Sequence, residues 1–441
     1  MRSPRSRAGF SFTPYAEITH LSGSQRGLWL GTRHTVLLLR GRRFPRDSGP
    51  IEVAERLRAQ ILRRPGGEEQ IARFARIEEL SRRSSKRIAI QLVALACVLM
   101  SLLQLRDGFV YEVGVFLPDL VRQGEFWRVL TANFLHASIL FPLHLGLNVL
   151  GLLAFAFLVE RPLGALRSAV VMGAAALGAM GGSALAGHSE VVGASGIVMG
   201  LAGATLCLEL HFAEYLPATW RLPRRLFLAA LAAEALIGFW VPVIAGAAHL
   251  GGFLAGYAAT GALSATALRR EPVPYWVRAS ALALGLALLS SLTAAAPLVF
   301  RDADALTRHG RNLLETRESR PGRLNDLAWR MVTEAELRPS QLEVALALAE
   351  SAVERTERAE PALLDTLAEV LFARGEPARA LATIDEAIVL APLDDYFRQQ
   401  QRRFTGERAG DDRPEPPGRP RFERRPTPER SPSRLGEGVV I

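Results

Sequence analysis

The sequence predicts an all-α polytopic membrane protein: seven transmembrane helices, a small α+β module ahead of them and a helical-repeat region behind. Three observations predict it. Seven apolar stretches lie at 88–105, 140–159, 166–186, 195–210, 226–242, 249–268 and 279–299, most of them near the roughly 20 residues that a helix needs to cross a bilayer. Charge is partitioned along the chain: residues 88–300 hold 11 Lys/Arg and 10 Asp/Glu, residues 1–87 hold 19 and 8, and residues 301–441 hold 23 and 26. Arginines also recur in alternate loops between the apolar stretches, as expected when one face of a membrane retains positive charge.

Residues 1–87 form the basic module. Gly27–Leu30 and His34–Leu39 are aliphatic and aromatic runs between Gly, Ser and Arg clusters, so they read as strands. Residues 50–63 and 68–80 carry apolar groups at helical spacing, Val53, Leu57, Ile61 and Leu62 among them. Together they suggest a cytosolic α+β module, faintly similar to part of a pleckstrin-homology-like domain, whose arginines set orientation. The formal charge of +9 is concentrated here, so the basic balance of the whole chain does not argue for a nucleic-acid partner.

Orientation follows from the arginines. Arg82, Arg83, Lys86 and Arg87 precede the first span, Arg161 and Arg167 follow the second, Arg221, Arg224 and Arg225 precede the fifth, and Arg269, Arg270 and Arg278 lie between the sixth and seventh. The short loops 187–194 and 243–248 have neither Lys nor Arg, whereas the long loop 106–139, expected on the same side, carries Arg106, Arg122 and Arg128, so the short loops obey the pattern best. The N-terminus is therefore expected in the cytosol, and seven spans place the C-terminal region outside. The expected location is the cell membrane. A cleavable signal peptide is not expected, because no apolar run follows the first basic residues. Cys97 and Cys207 sit singly within apolar runs, which excludes a disulfide scaffold and a CxxC metal site.

Residues 320–400 read as helical. Leu364, Leu367, Ala368, Leu371, Ala380, Ile384, Ala387 and Pro392 fall at the spacing of a tetratricopeptide helix–turn–helix, with Gly375 at the turn. A looser copy runs from Leu324 through Trp329 to about Val353. Such a region is a candidate for binding a protein partner. Residues 406–441, rich in Pro, Arg, Glu and Gly, read as a disordered tail.

The chemistry lies in polar groups at membrane depth, where each is costly. His144 and Asn148 are four residues apart and share a helix face. Gly193-Ala-Ser195-Gly196 opens the fourth span, and His249 opens the sixth ahead of Gly252 and Gly256. The orientation above brings all four polar residues to similar depth on one side of the bilayer. A serine hydroxyl needs an adjacent base to act as a nucleophile, and His249 can supply it, with the Gly252/Gly256 face letting its helix approach the fourth closely. The Ser195 N–H, His144 and Asn148 can face a developing oxyanion. No acidic residue is obviously placed to orient His249. Glu234, the one deeply placed carboxylate, reads as a structural, bundle-facing residue.

These motifs resemble the rhomboid intramembrane serine proteases over residues 88–268. Glu125-Phe-Trp127-Arg128 resembles the family's outer-loop Trp-Arg motif, His144-x-x-x-Asn148 its oxyanion pair, Glu160-x-x-x-Gly164 its helix-closing motif, Gly193-Ala-Ser195-Gly196 its nucleophile turn, and Ala248-His249 with Gly252 and Gly256 its base helix. The resemblance implies a six-helix core, a Ser–His dyad in a wet cavity, and hydrolysis of peptide bonds in or beside transmembrane segments of substrate proteins. It implies catalytic Ser195, His249, His144 and Asn148 and no cofactor; residues 279–299 would be an added helix. Trp127 and Arg128 are expected to be structural. Two departures stand out: Met199 occupies a position often aromatic in the family, and the spacing from His136 to His144 is longer than usual, so residues 138–142 read as a small insertion. Other classes predict otherwise. An inactive rhomboid-like binder typically lacks the serine or the base, a transporter would show an inverted repeat, and a mere anchor for the C-terminal region would not need these polar groups.

Overall fold

The computed structural model describes residues 13–32, 36–40, 44, 49–82, 87–136, 142–188, 190–217, 220, 224–240, 245–269, 271–316, 319–407 and 413–414. The expected insertion at 138–142 lies outside them except for Pro142, as does most of the tail from 406 onward. The chain divides into two compact units, Met1–Asp302 and Ala303–Ile441.

The first unit begins with three antiparallel strands, β1 (His20–Ser24), β2 (Gly27–Gly31) and β3 (Val36–Arg40), in the order β1-β2-β3. Ser22 faces Trp29, which in turn faces Leu38. Helices α1 (Pro50–Leu62) and α2 (Gly67–Arg82) follow. Pro50 sits in the first turn of α1, where its missing N–H costs nothing. Ile18, Leu21, Leu28, Ala54, Ile61 and Phe74 form the buried centre of this layer. An Arg73–Glu214 ion pair of 3.3 Å joins it to the segment beyond the fourth apolar stretch.

The apolar region contains α3 (Ile88–Arg106), α4 (Phe109–Gly114), α5 (Pro118–Arg122), α6 (Arg128–Thr131), α7 (Leu143–Phe155), α8 (Arg161–Leu163), α9 (Ala165–Leu185), α10 (Ser195–His211), α11 (Arg224–Trp240), α12 (Gly246–Leu268) and α13 (Tyr275–Val299). Among the described residues, four helical runs are long and apolar enough to cross a membrane: Ile88–Arg106, Leu143–Leu163, Ala165–Leu185 and Tyr275–Val299. Helix α10 is apolar but shorter. Helices α11 and α12 occupy the expected fifth and sixth positions. The described part of the long loop expected at 106–139 holds the three short helices α4–α6.

Two devices fix the bundle. Residues 156–160 form a π-helical turn that joins α7 to α8. Glu160 lies within that turn and is fully buried. Its two carboxylate oxygens accept the Ala89 and Ile90 N–H groups at 2.8 and 2.9 Å. It thus neutralises the start of α3, whose first N–H groups have no intrahelical acceptor. Next to it, Gly164 has φ +80, a backbone value that glycine adopts readily.

The second device is glycine packing between α9, α10 and α12. A methyl placed on Gly252 would lie 2.2 Å from the Gly196 carbonyl oxygen, and one on Gly256 would lie 2.1 Å from that of Gly200. One on Gly251 would lie 2.2 Å from the Gly178 oxygen. These helices therefore touch backbone to backbone.

The second unit consists of α14 (Ala303–Glu315), α15 (Pro321–Glu334), α16 (Pro339–Arg355), α17 (Pro361–Ala373), α18 (Pro377–Leu390) and α19 (Asp395–Phe404). Helices α15 to α18 each start on a proline. Gly375, at φ +79, turns the chain between α17 and α18. Leu364, Leu367, Ala368, Leu371, Ala380, Ile384 and Ala387 are all buried in that hairpin.

Beneath the hairpin is a buried polar cluster. Tyr396 Oη and Gln400 Nε2 each donate to Asp365 at 2.8 Å, and Glu369 pairs with Arg403 and Arg413. Burial pushes the Asp365 carboxyl up to about 7, against the pull of its two donors. A carboxyl raised in the folded state holds its proton there while the unfolded chain has lost it. Stability of this unit should therefore fall as pH rises from about 4 to about 7, by roughly 4 kcal/mol in all, and level off above. Hydrogen exchange of α17 and α19 amides in the full-length protein checks this, and Asp365→Asn should flatten the dependence.

Candidate active site

Ser195 is the first residue of α10. Its approach is built from main-chain bonds. Phe116 and Val191 exchange N–H···O bonds of 3.1 Å in both directions, and the Gly193 N–H donates to the Ala132 oxygen at 2.9 Å. Gly193 then takes φ +119, which turns the chain into the helix. The first N–H groups of α10, that of Ser195 included, have no acceptor within the helix and concentrate positive potential there.

His249 lies in the first turn of α12, and the glycine contacts described above bring it to the serine. Its Nε2 is 2.8 Å from Ser195 Oγ. Its Nδ1 is hydrogen-bonded to Oε1 of Glu234, from the middle of α11. The His249 side chain is 13% exposed and that of Glu234 32%, so the imidazole is largely withdrawn from solvent and the carboxylate keeps some access to it.

Helix α7 supplies the remaining polar groups. A methyl on Gly193 would meet His144 Nε2 at 3.0 Å and Asn148 Nδ2 at 3.9 Å. Both side chains therefore reach the turn two residues before the serine. Asn148 Nδ2 also donates to the His144 carbonyl at 3.0 Å. Behind His144, His136 is buried with its ring centre 5.1 Å away, edge-on, and its Nδ1 is 3.2 Å from Ser101 Oγ. Among the described residues, no group of three or more His, Cys, Asp or Glu could hold a metal ion.

Trp127 and Arg128 make a different set of contacts. Arg128 is fully buried. Its Nε donates to Glu125 at 2.7 Å, and its Nη1 donates to the Glu112 and Val115 carbonyls at 2.7 and 2.9 Å. Trp127 Nε1 donates to the Val113 carbonyl at 2.9 Å. These residues knit α4 to α6 and do not reach the serine.

The four residues singled out from sequence are thus gathered round one turn. Sequence reasoning missed the contact of Glu234 with His249. The available signal was its being a lone carboxylate inside an apolar stretch, and nothing in the spacing from 234 to 249 tells which way it faces.

The serine and the histidine thus meet across glycine-packed helices. Residues 123–266 match the family model described as the Rhomboid domain. The chain is 29% identical over 184 residues to Rhomboid protease GluP of Bacillus subtilis (strain 168), covering 39% of this chain and 34% of that protein. It is 33% identical over 142 residues to RHOMBOID-like protein 6, mitochondrial, of Arabidopsis thaliana, covering 31% and 43%. With Rhomboid-like protease 1 of Toxoplasma gondii it shares 31% identity over 186 residues, covering 40% and 60%. The chain therefore spans between about a third and three fifths of the length of these relatives. These matches support the rhomboid family for the membrane segment.

Proposed function

We propose that this protein is an intramembrane serine endopeptidase that cleaves peptide bonds in or near the transmembrane segments of membrane-protein substrates. The observation that carries the reading is the 2.8 Å contact between Ser195 Oγ and His249 Nε2 from two separate helices. His249 takes the hydroxyl proton as Oγ attacks the scissile carbonyl. The Ser195 N–H, His144 and Asn148 bind the resulting oxyanion. His249 then protonates the leaving amine, and water releases the acyl-enzyme. No cofactor enters the scheme.

The arginine pattern supports a multi-pass protein with a cytosolic N-terminus, seven spans and an external C-terminal region. The buried α17/α18 hairpin supports a tetratricopeptide-like region that recruits a protein partner.

A serine-directed fluorophosphonate probe applied to intact membranes tests the core of this reading. It should label the wild-type chain and neither Ser195→Ala nor His249→Ala. Equal labelling of all three would overturn the assignment. Asn148→Ala removes one oxyanion donor. Its kcat on a transmembrane reporter should fall by about 100- to 1,000-fold with KM little changed, a smaller loss than removing the nucleophile brings.

A further inference from the structure

We infer that Glu234 is the positioning residue of a three-member Ser195–His249–Glu234 relay, so that the base is oriented by a carboxylate from α11. This rests on the protease reading and adds a member to the Ser–His pair.

With a neutral imidazole and an ionised carboxylate, the hydrogen bonds leave one arrangement of protons. A carboxylate only accepts, so the bond to Glu234 Oε1 puts the imidazole proton on Nδ1. Nε2 is then a bare lone pair, 2.8 Å from the Ser195 hydroxyl that donates to it. That is the tautomer a general base requires. Without an acceptor at Nδ1 the ring could carry its proton on Nε2 instead, facing the hydroxyl with a hydrogen and unable to take another.

The step balances. As the Oγ–carbon bond forms, the serine proton passes to Nε2 and the carbonyl π pair moves onto oxygen. The imidazole becomes a cation, and the Glu234 carboxylate stands against it without taking its proton. When the carbon–nitrogen bond breaks, the Nε2 proton leaves with the amine and the ring is neutral again. A charge pair formed away from bulk water interacts far more strongly than one in solvent. The placement of Glu234 also accounts for its presence: a carboxylate inside an apolar helix is costly unless a partner repays it, and His249 is that partner.

The test uses the purified full-length protein in lipid vesicles with a transmembrane reporter. Glu234→Gln keeps the size of the side chain but can turn a donor toward Nδ1. Its kcat should drop at least about 100-fold with KM within about twofold, since substitution of the orienting acid in a serine-protease triad costs up to about 10,000-fold. Glu234→Asp should restore part of the rate. Glu234→Ala should be inactive and regain activity with added formate in a dose-dependent way, a response that a purely structural role would not give. Because rescue requires a folded protein, it keeps the idea testable if Glu234→Gln folds poorly. A Glu234→Gln enzyme within threefold of wild-type kcat, or a Glu234→Ala enzyme deaf to formate, overturns the relay. Persistent cleavage by Ser195→Ala in the same assay would instead overturn the protease reading.

Discussion

Ser195→Ala should produce no detectable cleavage of a transmembrane reporter while expression and helix content stay at wild-type levels. The substitution deletes one oxygen at the start of α10 and leaves the turn alone, because that turn is held by main-chain bonds at Phe116, Ala132, Val191 and Gly193. The loss should approach a million-fold in kcat, the scale seen when a serine-protease nucleophile is removed. His249→Ala should be as damaging, and the double variant no worse than either single one, because nucleophile and base act as a unit. Reporter cleavage, followed by gel shift in membranes, measures all three. Residual turnover in Ser195→Ala above that of the double variant would mean that another group attacks the bond.

Gly252→Ala should damage both stability and rate, although it adds a single methyl. That methyl would sit 2.2 Å from the Gly196 carbonyl oxygen, and a backbone oxygen cannot rotate aside as a side chain could. Overpacking of this kind costs about 1–3 kcal/mol. Helices α10 and α12 must then separate, and these are the helices that carry Ser195 and His249. A displacement of about an ångström at reacting groups costs about 100-fold in rate. Gly285→Ala is the matched control: it lies in α13 with nothing within 4 Å of the added methyl and should leave both properties unchanged. Thermal unfolding in detergent and kcat on the reporter check the pair. Equal behaviour of the two variants would mean that the glycine contacts do not set the site's geometry.

The legible parts of the site were those whose chemistry is written in local spacing. Ser195 stood out because glycines flank it at 193 and 196, and His144 with Asn148 because a spacing of four places them on one face. Gly252 and Gly256 announced a close helix contact for the same reason. Glu234 stayed hidden because its meaning depends on the rotation of α11 about its own axis, which an apolar helix with little polar asymmetry does not reveal. The outer loop was hard to read for another reason. Helices α5 and α6 hold five and four residues, too few for a periodic pattern, and α6 is tied to α4 by the long reach of Arg128. In the second unit the α17/α18 hairpin was readable from its regular apolar spacing. The cluster around Asp365 and Glu369 was not, since its partners Tyr396, Gln400 and Arg403 come from another helix.

The clasp on the nucleophile turn is made by peptide groups alone, while the side chains of Phe116, Ala132 and Val191 are buried together in one apolar cluster. Phe116, Ala132, Val191 and Gly193 contribute only N–H and C=O to it. Proline is barred from the donating positions 116, 191 and 193, because it has no hydrogen to give, and position 193, at φ +119 beside the His144 ring, calls for glycine as well. A swap to proline at any of the three would therefore unlatch the attacking oxygen without altering a catalytic side chain.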